Sequence, residues 1–67
     1  MIVGHRGLRG LNYDGRRVFY LQDDRSYYQV KALYDSRAGW LDGLGYPLHP
    51  EYRAYCEANI NPEEVGA

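Results

Sequence analysis

Cys56 is the chain's one cysteine and, by residue type, its best nucleophile. A thiol becomes reactive when a helix N-terminus, a cation or a neighbouring base lowers its pKa. Cys56 instead falls mid-way through an amphipathic pattern, in register with Tyr52, Tyr55 and Ile60, where a thiol behaves as a small hydrophobe. It is read as a core residue. His49 directly precedes Pro50-Glu51, a helix entry, so it suits capping that helix or stacking on Tyr52 better than acting as a general base. His5 sits in a glycine-rich head and says less. One Cys and two His fall a ligand short of a closed zinc site, and no C-x-x-C or H-x-x-x-H spacing occurs. Asp23-Asp24 makes a poor calcium loop, because calcium takes about six or more oxygens. Only Ser26 follows at useful spacing, and Arg25 opposes the charge. No catalytic residue, metal ligand or cofactor is expected, and the chain reads as non-enzymatic.

Residues suited to contact are more abundant. Tyr occurs eight times in 67 residues, against one Phe and one Trp. A tyrosine carries a large ring with one polar end, which fits surfaces that meet water and a partner by turns. Tyr13 stands beside Asp14, and Tyr27 follows Asp23, Asp24 and Arg25. Exposed Tyr with charged neighbours matches the composition of protein-binding hot spots. The expected partner-binding residues are therefore Tyr13, Asp23, Asp24, Arg25 and Tyr27, with Tyr46 also outward. The competing reading is that so small a domain cannot bury every ring.

Charge offers a second possibility. The net charge is −1, but Arg6, Arg9, Arg16 and Arg17 against Asp14 give residues 1–17 a charge of +3. Residues 42–67 carry −4, from Asp42, Glu51, Glu57, Glu63 and Glu64 against Arg53. Arg6, Arg9, Arg16 and Arg17 could touch phosphate while neighbouring Tyr rings stack on bases. The repeated Gly-x-Arg-Gly of the head has the G-x-x-G form of a KH-domain loop, but no helical pattern flanks it.

The elements that must position these residues follow from local pattern. Gly4, Gly7 and Gly10 mark residues 1–10 as loose or as a short edge strand around Ile2 and Val3. Asp14-Gly15 predicts a two-residue hairpin turn. Arg16 to Gln22 reads as a strand, Asp23–Ser26 as a turn, and Tyr27 to Tyr34 as a second strand. In that strand Tyr28, Val30, Ala32 and Tyr34 form the expected core face. Trp40 anchors the core from a compact loop or a short third strand. Pro50 to Ile60 is an amphipathic helix with Tyr52, Tyr55, Cys56, Asn59 and Ile60 inward, stopped by Asn61-Pro62. Residues 62–67 form a frayed tail. The predicted fold class is α+β: one domain, a small antiparallel sheet of two to three strands, and one C-terminal helix packed on a face.

A chain this short hides about 60% of the surface it exposes when unfolded, so self-association into a homo-oligomer stays open. No apolar run approaches the roughly 18 residues of a membrane span, and no signal peptide is read at the N-terminus. With a lone thiol, the reducing cytoplasm is the expected compartment. Short, motif-free chains of this kind are common among phage and mobile-element proteins that inhibit a host nucleic-acid-handling complex, anti-CRISPR-type inhibitors among them. By that analogy of size, the expected function is a protein-binding module acting by occlusion. The alternative is a small nucleic-acid-binding protein using the Arg/Gly-rich head.

Overall fold

Four strands carrying apolar and aromatic residues form a sheet, and one capped helix closes one side of it. In the computed structural model the elements are β1 (Ile2–Tyr13), β2 (Arg16–Asp23), β3 (Val30–Asp35), β4 (Gly39–Asp42) and α1 (Pro50–Asn59). The structure describes residues 1–13 and 15–62, with the backbone alone described for 9–13; the tail expected to fray lies outside them beyond Pro62. The strands form one antiparallel sheet in the order β1-β2-β3-β4. The fold class is thus α+β, with four strands where two to three were expected. The head takes the edge-strand alternative and is longer than the short strand expected around Ile2 and Val3. It is an edge strand of twelve residues, paired with β2 from Ile2 to Gly7 and again at Asn12 and Tyr13, with irregularities between Ile2 and Gly4 and between Gly7 and Asn12.

Tight connections hold the meander together. Tyr13 pairs with Arg16 and Gly15 has φ of 75°, the left-handed conformation that the predicted hairpin turn needs. Asp35 Oδ1 accepts from the backbone N–H of Arg37 and Ala38 at 2.8 and 3.1 Å, and Gly39 (φ 84°) returns the chain into β4. After β4, Asp42 N donates to Tyr46 O at 2.7 Å and Leu48 N to Trp40 O at 3.3 Å. Tyr46–Leu48 thereby occupies the outer edge of β4.

The sheet is apolar on both faces. Toward α1 lie Phe19, Leu21, Ala32 and Trp40, packed with Ile2, Leu48, Cys56 and Ile60; Phe19 and Tyr34 meet the Trp40 ring edge-on at 5.2 and 5.1 Å. On the other face Val18, Leu33 and Leu41 are buried, with Leu8 and Tyr20 against them. Gly43 approaches Lys31 and Gly45 approaches Arg16 at its rim. Leu33, expected on the outward side of its strand, is therefore a core residue of a second, smaller cluster.

The helix begins and ends where local signals put it. His49 Nδ1 accepts from Glu51 N at 3.2 Å, Pro50 opens the first turn, and the His49 ring meets Tyr52 edge-on at 5.8 Å. Cys56 and Ile60 are buried while Ala54 and Glu57 are exposed. Asn59 departs from expectation: it is exposed and donates through Nδ2 to Tyr55 O. Among the described residues no helix is long and apolar enough to cross a membrane.

Candidate functional site

The β2–β3 connection combines a buried carboxylate with the most exposed rings described. Asp23 ends β2 on the helix-facing side and is only 1% exposed. Its Oδ1 accepts from Arg25 N (2.9 Å), Arg25 Nε (3.1 Å) and the Met1 amino group (3.3 Å). Its Oδ2 accepts from Arg25 Nη2 (2.8 Å) and the Tyr52 hydroxyl (3.2 Å). Arg25 also pairs with Glu51 in the first turn of α1. A buried carboxylate is costly unless donors surround it; this one is surrounded, and it ties the sheet end, the turn and the helix together. The Arg25 guanidinium and backbone N–H hold the Asp23 carboxyl far below the usual carboxylate range. Burial, then the bond to Asp23, pushes the Tyr52 phenol up.

Local bonds carry the chain from this anchor to the rings. Ser26 N donates to Asp23 O at 3.1 Å. Ser26 Oγ donates to Tyr28 O and accepts from Tyr28 N, at 3.0 and 3.2 Å. Gln22 Nε2 donates to Ser26 O at 3.4 Å. Tyr27 and Tyr28 then stand 90% and 76% exposed, their rings edge-to-face at 5.0 Å and 86°. Tyr27 lies outward as the sequence predicts. Tyr28 does not face the core, because the ladder begins only at Val30, opposite Leu21; the turn anchored on Asp23 consumes the residues assigned to the strand's start. Sequence reading missed Tyr28, and the available signal was Ser26 two residues earlier, a hydroxyl placed to bond the backbone and stop strand pairing.

The other predicted contact residues divide. Asp24 is exposed and paired with the Met1 amino group. Arg25 is exposed but committed to Asp23 and Glu51, and Asp23 itself is interior. The side chain of Tyr13 lies outside the described residues. Tyr46 and Leu44 are exposed on the loop after β4. Of the arginines proposed for nucleic acid, Arg16 Nε bonds Asp35 at 3.0 Å, Arg17 has an interaction within the fold, and Arg6 lies over the Tyr20 ring at 5.5 Å. The side chain of Arg9 is outside the described residues. The structure therefore gathers Asp23, Asp24, Arg25 and Tyr27 at one corner and spreads the described arginines along β1 and β2.

The cysteine and both histidines are taken up by the fold. Cys56 is fully buried; burial, with a smaller contribution from Glu57, pushes its thiol up to about 11, so the thiolate is scarce at neutral pH. His49 uses Nδ1 as a helix cap. His5 Nδ1 and the Tyr55 hydroxyl form a 2.8 Å hydrogen bond that links β1 to α1; a contact across fifty residues leaves no local trace in sequence. Among the described residues no three His, Cys, Asp or Glu side chains gather as metal ligands. Compared with known protein families, characterised proteins and solved structures, the chain matches none.

Proposed function

We propose that this protein is a non-enzymatic binding module that contacts a protein partner through the Tyr27–Tyr28 corner. The observation that carries the reading is the pair of adjacent rings, 90% and 76% exposed, on a turn fixed from below by a buried, fully bonded carboxylate. Exposed aromatics on a loose loop lose much freedom on binding; rings already ordered lose less. Asp23 and Arg25 then position the corner rather than touch the partner, while Asp24 and Glu51 lie exposed beside it, paired with the Met1 amino group and Arg25, so that the corner keeps a net negative charge. Aromatic and acidic groups together suit occlusion of a basic, nucleic-acid-facing site. The finer form of the proposal is an inhibitor of a host nucleic-acid-handling complex, as in phage and mobile-element proteins of this size. Direct nucleic-acid binding is less well supported, since Arg16 is paired with Asp35 and Arg17 also interacts within the fold.

Affinity capture with the Tyr27→Ala, Tyr28→Ala double variant tests the reading. Loss of hot-spot aromatics typically costs about 2 kcal/mol or more, near thirtyfold in affinity, so partner recovery should collapse while the circular dichroism spectrum is kept. Normal capture by this variant, with loss on replacing Arg16 and Arg17, would favour nucleic acid instead.

A further inference from the structure

The two edges of the sheet are finished differently. Tyr46–Leu48 covers β4, with a bridge between Leu41 and Pro47. Along β1 no strand lies on the outer side among the described residues. Alternate residues of such an edge turn N–H and C=O groups outward, a template for another strand. Irregularities between Ile2 and Gly4 and between Gly7 and Asn12 bound a regular run, Gly4–Gly7, paired with Gln22–Phe19. A groove of about 250 Å³ opens at this run, lined by Val3, Gly4, Arg6, Tyr20, Gln22 and Gln29 among others. That is smaller than the usual small-molecule cleft of about 300 Å³ or more, and it suits one or two side chains of an extended peptide.

We propose that the β1 edge takes up an extended, acidic segment of a protein partner, which adds a strand along Gly4–Gly7 and sets a carboxylate on Arg6 in this groove. The groove lining contains no carboxylate. Arg6 has no acidic partner among the described residues, unlike Arg16 and Arg25. Stacking on Tyr20 at 5.5 Å orients a guanidinium without using its in-plane N–H groups, which remain for two-pronged carboxylate binding. Gln29 brings an amide to the same wall, while the Gln22 Nε2 group is taken up by Asp23 O and Ser26 O. A second copy of this chain is a poorer occupant, because antiparallel pairing about Gly4–Gly7 sets each Arg6 opposite His5 of the copy and offers it no carboxylate. The segment rests on the protein-binding reading above but uses other residues, so it is a second contact for the same partner.

The test is a titration of the full chain, followed by amide NMR, with a short capped peptide of alternating threonine and glutamate. Controls are its lysine counterpart and a single-stranded pyrimidine oligonucleotide. The acidic peptide should shift amides of Gly4–Gly7 and Tyr20–Gln22, and the lysine peptide should bind at least about tenfold more weakly. Arg6→Glu should weaken the acidic peptide by at least about tenfold. Gly4→Val should do the same by filling the groove; nothing lies within 4 Å of an ideal Cβ there, so the fold is kept. No shifts at about 1 mM peptide, or unchanged affinity in both variants, would overturn the edge site and leave the tyrosine corner standing. Groove shifts with the oligonucleotide and none with the peptide would overturn both.

Discussion

The helix-facing and outer faces of the sheet are both apolar, yet they are closed by different means. On one, α1 lays Cys56 and Ile60 over Phe19, Leu21, Ala32 and Trp40. On the other, no helix is present among the described residues; Val18, Leu33 and Leu41 are buried with only Leu8 and Tyr20 beside them. A short chain that packs one face alone leaves the other wet, whereas using both raises the apolar area withdrawn from water. The outer cluster lies beside the β1 groove and the inner one beneath the Asp23 anchor. Packing on each face thus supports a different candidate contact: the edge strand on one side, the tyrosine corner on the other.

Three experiments would break or sharpen that contrast. The largest effect belongs to Phe19→Ala, which opens a cavity in the larger cluster at a fully buried ring touching Trp40. Such truncations cost about 3–5 kcal/mol, comparable with the whole net stability of so small a core, so the variant should lack a cooperative denaturation transition. Leu33→Ala should cost less, about 2–3 kcal/mol, because its cluster is small and rimmed by side chains that can collapse inward. Urea denaturation compares the two, and a Leu33 loss equal to that of Phe19 would mean that the faces are energetically alike.

The third effect is smaller and depends on pH. Asp23 and Asp35 both ionise below the ordinary carboxylate range: Arg25 draws Asp23 down, and the backbone N–H groups of Arg37 and Ala38, then Arg16, bring Asp35 to about 2. A carboxylate depressed in the folded state adds stability that is complete above its unfolded pKa of about 4 and is lost as pH falls through the folded value. Stability should therefore fall as pH drops below about 4. Asp23→Asn should lower Tm at pH 7 and flatten the acid-side fall, since one of the two groups no longer titrates. An acid profile identical to that of the unaltered chain would remove Asp23 as the electrostatic anchor of the corner.

Parts of this molecule were legible because their causes are local. His49-Pro50-Glu51 and Asn61-Pro62 bracket α1 with a cap, a first-turn proline and a stop. Asp14-Gly15 marks the β1–β2 turn, and alternation along Val30–Tyr34 assigns Val30, Ala32 and Tyr34 correctly to the helix-facing side. Other parts were hidden because they depend on distant residues. The length of β1 rests on pairing with β2, which outweighs the glycines. Asp23 looks like an ordinary turn acid until Arg25, Tyr52 and the Met1 amino group converge on it.

Leu33 and Tyr28 draw the line most plainly. Period-two patterning by itself determined that neighbouring residues of β3 point to opposite faces, since pleating forces that on any strand. Amphipathic spacing likewise determined that Cys56 and Ile60 lie inward, away from solvent. Only the tertiary structure decided that the second face is also covered, burying Leu33, and that the ladder stops short of Tyr28, leaving its ring in water. Side-chain alternation is a property of the strand's own backbone. Burial is a property of whatever packs against it, and in this chain those partners come from elements far away in sequence.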